Sequence, residues 1–196
     1  MRRAAFTLLE LLTVIAIIGL LAGILIPTTA AARITAQRAR TKVRFGQWAA
    51  AMELFRQEYG YFPAVDAGTG KLDAARFAGA VTGRTVDGSA PAPSEALGGN
   101  YRQAVFYAIG EEEMNAAKDA LVDAFGNTDI GVLYDHDGDG RITETDGPAR
   151  PVRADGGEPL SPISDALDLH VGINAGVIFY SAGRGSQPED LVLSWR

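Results

Sequence analysis

The sequence predicts an α+β fold in which one long N-terminal helix packs against a head with a small antiparallel sheet. Three observations predict it. A long apolar run opens the chain, an aromatic stripe at helical spacing continues it, and short β-branched and aromatic runs separated by Gly and Pro fill the C-terminal half. Of the 196 residues, 47% are hydrophobic and 21% are charged, which is too apolar for a disordered chain.

The charge is distributed unevenly along the chain. Residues 1–59 contain eight Lys and Arg against three Asp and Glu, whereas residues 60–196 contain ten against 21. The net charge of -6 argues against nucleic acid as the main partner. The absence of Cys excludes a disulfide framework, a thiolate metal site and a lipoprotein anchor.

The first predicted element is a membrane-spanning helix over residues 6–27. It contains 21 residues from Phe6 to Ile26 with one charge, at Glu10, and at 1.5 Å per residue they span about 31 Å, the thickness of a bilayer core. A carboxylate in such a segment costs about 2.5–3.5 kcal/mol, so Glu10 needs a partner.

Residues 1–5 are short and basic, which predicts a cytoplasmic N-terminus and a head on the outer side of the membrane. The alternative is a secretory signal that is cleaved near Ala32. The length of the apolar run, 21 residues, argues against a secretory signal, because the apolar runs of signal peptides have about 7–15 residues.

The second predicted element continues the helix outside the membrane over residues 28–60. Trp48, Met52, Phe55 and Tyr59 recur at helical spacing and are predicted to pack against the head. A cluster of basic residues between positions 33 and 44 is predicted to contact lipid headgroups. The alternative for this cluster is a surface complementary to acidic neighbouring subunits.

The remaining residues, 61–196, are predicted to form the head. Its helices are expected over residues 73–81, where Gly83 ends the helix, and over residues 101–109 and 111–121. Its strands are expected over residues 130–134, 171–173, 177–180 and 191–195.

A 12-residue segment of the head has the spacing of a calcium-binding loop. Carboxylates alternate with other residues at its start, Gly140 permits a sharp turn, and a carboxylate closes it. Such a loop is predicted to bind one structural Ca²⁺ in place of a disulfide, through Asp135, Asp137, Asp139, the carbonyl of Arg141, Thr143 and Asp146. The alternative is an Asp- and Gly-rich turn without metal.

The sequence does not predict an enzyme. His136 and His170 are the two histidines of the chain, and His136 lies inside the acidic loop. Neither a nucleophile elbow nor a phosphate-binding Gly-rich loop with its Lys is present.

Residues 5–27 closely resemble the prepilin leader and N-terminal helix of type IV pilins and type II secretion pseudopilins. The resemblance implies that residues 1–5 are a leader, and that a membrane prepilin peptidase cleaves between Ala5 and Phe6 and methylates the new amine. Ala5 stands where the family usually has Gly. The resemblance also implies that Glu10 pairs with the amine of Phe6 on a neighbouring subunit during assembly.

Three further segments resemble pseudopilins: residues 59–63, 121–127 and 180–195. They favour a pseudopilin over a type IV pilus subunit, whose head often carries a disulfide. The resemblance implies a single-pass inner-membrane protein with a periplasmic head, assembling with itself, with other pseudopilins and with the inner-membrane secretion platform. A type IV pilus subunit, a minor pilin and a signal-anchored binding domain remain as alternatives.

Overall fold

The structure is a computed structural model, which describes residues 8–89, 97–147, 149–154, 156–162, 169, 171–185 and 187–195. The chain divides into two compact units, residues 1–37 and residues 38–196. The long helix α1, Leu8–Tyr59, has 52 residues and contributes to both.

Within the first unit, the described residues all belong to α1, and its large apolar side chains from Leu8 to Leu25 are exposed. α1 is the one helix in the described part of the chain that is long and apolar enough to cross a membrane. Its hydroxyl groups bond to their own helix: Thr13 donates to the Glu10 carbonyl at 2.9 Å and Thr28 to the Leu25 carbonyl at 2.9 Å. Such internal satisfaction suits a segment surrounded by hydrocarbon.

In the second unit, α1 buries one face against the head. Trp48, Met52 and Phe55 are completely buried and Tyr59 packs against the same cluster while partly buried, so the predicted aromatic stripe is confirmed as core. Gly60 follows the helix with φ of 83° and its N–H bonds to the Arg56 carbonyl at 2.7 Å. The helix therefore ends where the sequence predicts.

The second helix, α2, spans Ala74–Thr82, as the sequence predicts. Asp73 caps it by accepting a hydrogen bond from the Arg76 N–H at 2.9 Å. Gly83 ends it in the left-handed region with φ of 65°. Phe77 on its inner face contacts Trp48 with ring centroids 5.3 Å apart, which ties α2 to α1.

The sheet is antiparallel with the order β1-β2-β3, formed by Ile130–Tyr134, Val177–Ser181 and Val192–Leu193. Every residue of β1 and β2 is buried. The sheet therefore has core on both faces: Phe179 lies in the cluster with the α1 aromatics, and Tyr180 lies in a second cluster with Ile142.

Two predicted helices of the head are wrong. Residues 101–109 contain no helix, and only Glu111–Glu113 of the second segment forms a short 3-10 turn. Side-chain bonds replace the helix here, because Asn115 accepts from the Asp119 N–H at 3.0 Å and stabilises a turn in which Lys118 has a positive φ of 56°.

The strand predicted over residues 171–173 reduces to a single bridge between Ile142 and Ile173. β3 is shorter than the predicted segment 191–195. Ser194 still bonds to Phe179, donating its N–H to the carbonyl at 3.0 Å, but the ladder ends there. The long helix and small antiparallel sheet confirm the predicted α+β fold.

Candidate functional site

The predicted processing residues lie at the start of the chain. Ala5 and Phe6 fall outside the described residues. Glu10 lies in the first turn of α1 and is exposed. An acidic residue in a first turn is favoured by the positive end of the helix dipole.

The acidic loop begins where β1 ends. Asp135 directly follows the strand, and its side chain is completely buried. Its two carboxylate oxygens accept the N–H groups of Gly138 at 2.7 Å and Gly140 at 2.9 Å. Both glycines are in the left-handed region, with φ of 78° and 85°, which is the backbone reversal that the spacing predicts.

Three of the predicted ligands come together. Asp135, Asp137 and Asp139 each offer a carboxylate oxygen, and these oxygens lie within 4.8 Å of one another. Oxygens that bind one Ca²⁺ at about 2.3–2.6 Å lie at most about 5 Å apart. The three carboxylates therefore fit a calcium ion in donor type and in separation.

Asp146, the ligand predicted at the twelfth position of the loop, makes different contacts from the three carboxylates. Asp146 is buried and accepts the N–H of His136 at 2.7 Å and that of Thr143 at 2.8 Å, one with each oxygen. It clamps the two ends of the loop together and does not belong to the three-carboxylate group. The two hydrogen bonds that the Asp146 carboxylate accepts from these backbone N–H groups hold the loop closed.

The other two predicted ligands bond to the loop and its neighbourhood. The Arg141 N–H donates to Asp139 at 2.7 Å, and its guanidinium donates to the Val171 carbonyl. The Thr143 hydroxyl lies 2.7 Å from that of Thr145. Arg141 is thus bonded to one member of the three-carboxylate group, whereas the Thr143 hydroxyl bonds to Thr145 and Asp146.

Arg56 on α1 joins the loop to the helix, and the sequence analysis missed it. Its Nη1 lies 3.7 Å from Oδ2 of Asp135, and its guanidinium stacks 5.0 Å above the centre of the Phe62 ring. A cavity of about 290 Å³ lies beside this pair, lined also by His136 and Asp137. Only the fold could reveal the contact, since the two residues are far apart in the sequence.

A second buried carboxylate, Glu113, lies under α1. It accepts the Trp48 Nε1–H at 2.6 Å and the Tyr107 hydroxyl at 2.6 Å. Burial and the neighbouring Glu113 carboxylate raise the pKa of Tyr107 well above its usual value. Glu113 thus has a structural role, holding the aromatic face of the helix to the head.

A third network connects the segments that resemble pseudopilins. Asp123 accepts the Ser181 hydroxyl at 2.8 Å and the Asn127 amide at 2.9 Å. Asn127 also donates to the Gly183 carbonyl at 2.6 Å. Residues 121–127 and 180–195 are therefore packed together through buried polar bonds.

The basic cluster of α1 is not a uniformly solvated face. Arg44 donates to the Val122 carbonyl at 2.6 Å, and Arg38 donates to the Glu189 carbonyl and lies 3.9 Å from the Asp190 carboxylate. These two side chains hold the head against α1. Arg40 and Lys42 of the same cluster are exposed.

Comparison with known proteins gives one family. Residues 1–26 match the family described as the prokaryotic N-terminal methylation motif. No curated protein and no solved structure matches the chain. The motif implies processing by a peptidase and assembly with other pilin-like subunits, and the apolar part of α1 agrees with the single-pass membrane anchor typical of such proteins. The methylation motif, the long N-terminal helix and the small antiparallel sheet together support a type IV pilin-like protein.

Proposed function

We propose that this chain is a structural subunit of a type II secretion pseudopilus, a periplasmic filament that helps to drive protein export. One observation carries the proposal: the methylation motif over residues 1–26 contains an apolar run, residues 6–26, that holds a single carboxylate, Glu10. A secreted protein discards such a segment, whereas a filament subunit keeps it. The N-terminus lies in the cytoplasm and the head in the periplasm, in keeping with the basic leader.

Assembly uses the charge of Glu10. Cleavage between Ala5 and Phe6 gives a new amine, which the peptidase methylates and which pairs with Glu10 of a neighbouring subunit. Each charge is costly alone in hydrocarbon, and the pair is less costly than its separate members. The pairing therefore favours lateral assembly and fixes the axial stagger of the subunits.

The secretion filament is favoured over the type IV pilus by the head. Two of the three further segments that resemble pseudopilins, residues 121–127 and 180–195, share the buried network of Asp123 and Asn127. A chain without Cys also lacks the disulfide common in pilus subunits. Because these two segments bond to each other in the fold, their resemblance to pseudopilins supports the proposal more strongly than separate surface segments would.

We propose further that residues 135–146 bind one structural Ca²⁺. The support is the separation of the Asp135, Asp137 and Asp139 oxygens. Three carboxylates this close repel one another, and a hard divalent cation offsets the repulsion. Asp146 keeps the ends of the loop together, so the carboxylates are held near one another before the ion arrives.

The function is tested in the native bacterium by the mature N-terminus and by assembly. We expect mass spectrometry to find an N-methylated Phe6, Glu10→Ala to abolish filaments, and the control Thr13→Ala to assemble normally. An intact Met1 or cleavage near Ala32 would support the signal-anchored or secreted alternative. Deletion of the gene is expected to stop export of secreted proteins; loss of surface pili with normal export would favour the pilus.

The calcium site is tested by calorimetry on the full chain in detergent after removal of metal with EDTA. We expect a dissociation constant of about 10⁻⁴–10⁻³ M or tighter and a rise in melting temperature with Ca²⁺. Asp139→Asn should lose both effects, and the exposed control Glu158→Gln should keep them. The absence of both a binding heat and a shift in melting temperature at millimolar Ca²⁺ would refute the site.

A further inference from the structure

We propose that Arg56 is a built-in counter-cation of the acidic loop, residues 135–146. It neutralises Asp135 when no metal is bound, and its charge opposes Ca²⁺ when the metal binds, so that it sets the calcium affinity of the loop. The inference rests on the calcium site proposed above and adds to it a regulating residue from a different element, α1.

The carboxylate that Arg56 faces is the most buried of the group. The side chain of Asp135 is completely inaccessible, whereas Asp137 and Asp139 are exposed. A buried carboxylate without a compensating charge is costly. Two backbone N–H groups, from Gly138 and Gly140, reduce that cost, and Arg56 supplies the formal positive charge, with Nη1 3.7 Å from Oδ2.

The Arg56 side chain also packs on the segment that follows α1. Its guanidinium lies over the Phe62 ring at 5.0 Å, a cation–π contact. Phe62 in turn contacts Tyr134, the last residue of β1, with ring centroids 6.2 Å apart. The charge is therefore held beside the start of the loop by an aromatic support, and does not depend on the ion pair alone.

The same geometry gives the guanidinium room to move. The side chain of Arg56 is 39% exposed, and the cavity of about 290 Å³ beside it is open to solvent and lined by Phe62, Asp135 and His136. When Ca²⁺ takes an oxygen of Asp135, the ion pair weakens and Arg56 can turn into this space while remaining near Phe62. Occupancy of the loop is in this way coupled to the last turns of α1.

The size of the effect follows from Coulomb's law. A single positive charge about 6 Å from a divalent ion, in surroundings as polar as water and at physiological salt, weakens binding about three- to tenfold. Removing the charge of Arg56 is therefore expected to tighten Ca²⁺ binding about three- to tenfold and to destabilise the metal-free protein.

The experiment compares variants of the full chain in detergent, stripped of metal and titrated with CaCl₂. Arg56→Gln should bind Ca²⁺ about three- to tenfold more tightly than wild type, melt at a lower temperature in EDTA, and gain more on adding Ca²⁺. Arg56→Lys keeps the charge and should bind within about twofold of wild type. The control Arg102→Gln removes a different ion pair between the head and α1, the one with Glu58, and should leave the affinity unchanged.

The outcomes separate this inference from the site itself. If wild type binds no Ca²⁺, the calcium site fails and the inference fails with it. If wild type binds but Arg56→Gln binds equally or more weakly, the site stands and the counter-cation role is overturned. If Arg56→Lys tightens binding as much as Arg56→Gln, packing of the arginine sets the affinity, and its charge does not.

Discussion

The two parts of α1 differ in apolar content and have opposite burial. In the first unit Leu20 is 68% exposed, and in the second unit Met52 is completely buried. The first part is apolar on all sides, as a segment surrounded by lipid must be, whereas the second is apolar on one face and charged on the other. The first part of the helix therefore suits a lipid surrounding, whereas the second part is stabilised by packing against the head and suits water on its other face.

The largest expected effect tests this difference directly. Trp48→Ala should lower the free energy of unfolding of the head by about 3–5 kcal/mol, because it removes the largest buried side chain and leaves Glu113 without one hydrogen bond. Leu20→Ala should change it by less than about 0.5 kcal/mol. Denaturation of the full chain in detergent, followed by near-ultraviolet circular dichroism, measures both. Equal effects would contradict the division into two units.

The next effect concerns two glycines of the second unit, one in a crowded position and one beside open space. A Cβ on Gly131 in β1 would lie 2.1 Å from the Tyr180 ring, so Gly131→Ala should cost about 1–3 kcal/mol. A Cβ on Gly46, on α1, would meet nothing within 4 Å. Gly46→Ala should therefore stabilise the head by about 0.5–1 kcal/mol. The same denaturation experiment measures both changes, and a neutral Gly131→Ala would contradict the close approach.

A smaller effect on stability is expected at high pH, where buried tyrosines of the head ionise. Burial raises the pKa of Tyr180 to about 12 and that of Tyr134 to about 12, the latter also because of Asp66. A pKa raised in the folded state gives stability that is present below pH 10 and is lost as the pH rises from about 10 to about 12. Each group contributes at most about 1.4 kcal/mol per pH unit in that window.

This pH dependence is measured by melting temperature between pH 8 and pH 12, values chosen to bracket the window at about 10–12. Tyr134→Phe removes one of the tyrosines with a raised pKa, so the variant should lose less stability over the same range. Stability that stays level to pH 12 would show that these hydroxyls ionise in the folded head without cost.

The smallest effect is expected at the surface ion pair of Arg102 and Glu58, whose side chains are 71% and 41% exposed. Arg102→Gln should change the free energy of unfolding by about 0–1 kcal/mol, and less at high salt. Denaturation at two salt concentrations measures it. A loss above about 2 kcal/mol would place this pair among the core contacts of the head.

The sequence determined those features that depend on neighbours along the chain. The apolar run, the aromatic stripe, the capped helix after Asp73 and the Asp-rich loop all follow from residue spacing, because a helix or a tight turn brings residues a few positions apart to the same side. The methylation motif is likewise a local pattern, and it was readable without any structure.

Where the local pattern failed, distant or side-chain contacts prevailed. The segment 111–121 has the composition of a helix, yet the bonds of Asn115 to its own backbone and of Glu113 to Trp48 hold it in turns. Asp146 is predicted as a metal ligand from its spacing, and the fold adds a second role, since its carboxylate clamps the backbone of the loop. Both cases turn on polar groups that found partners which spacing does not specify.

By itself, the sequence predicted a processed, membrane-spanning start, and it determined a helix with one buried face and a loop that gathers three carboxylates. Only the tertiary structure decided that Arg56 faces Asp135, that Gly131 lies under the Tyr180 ring and that residues 121–127 bond to residues 180–195. The physical reason is distance along the chain: such contacts form when packed elements exclude water and polar groups must find partners within the fold.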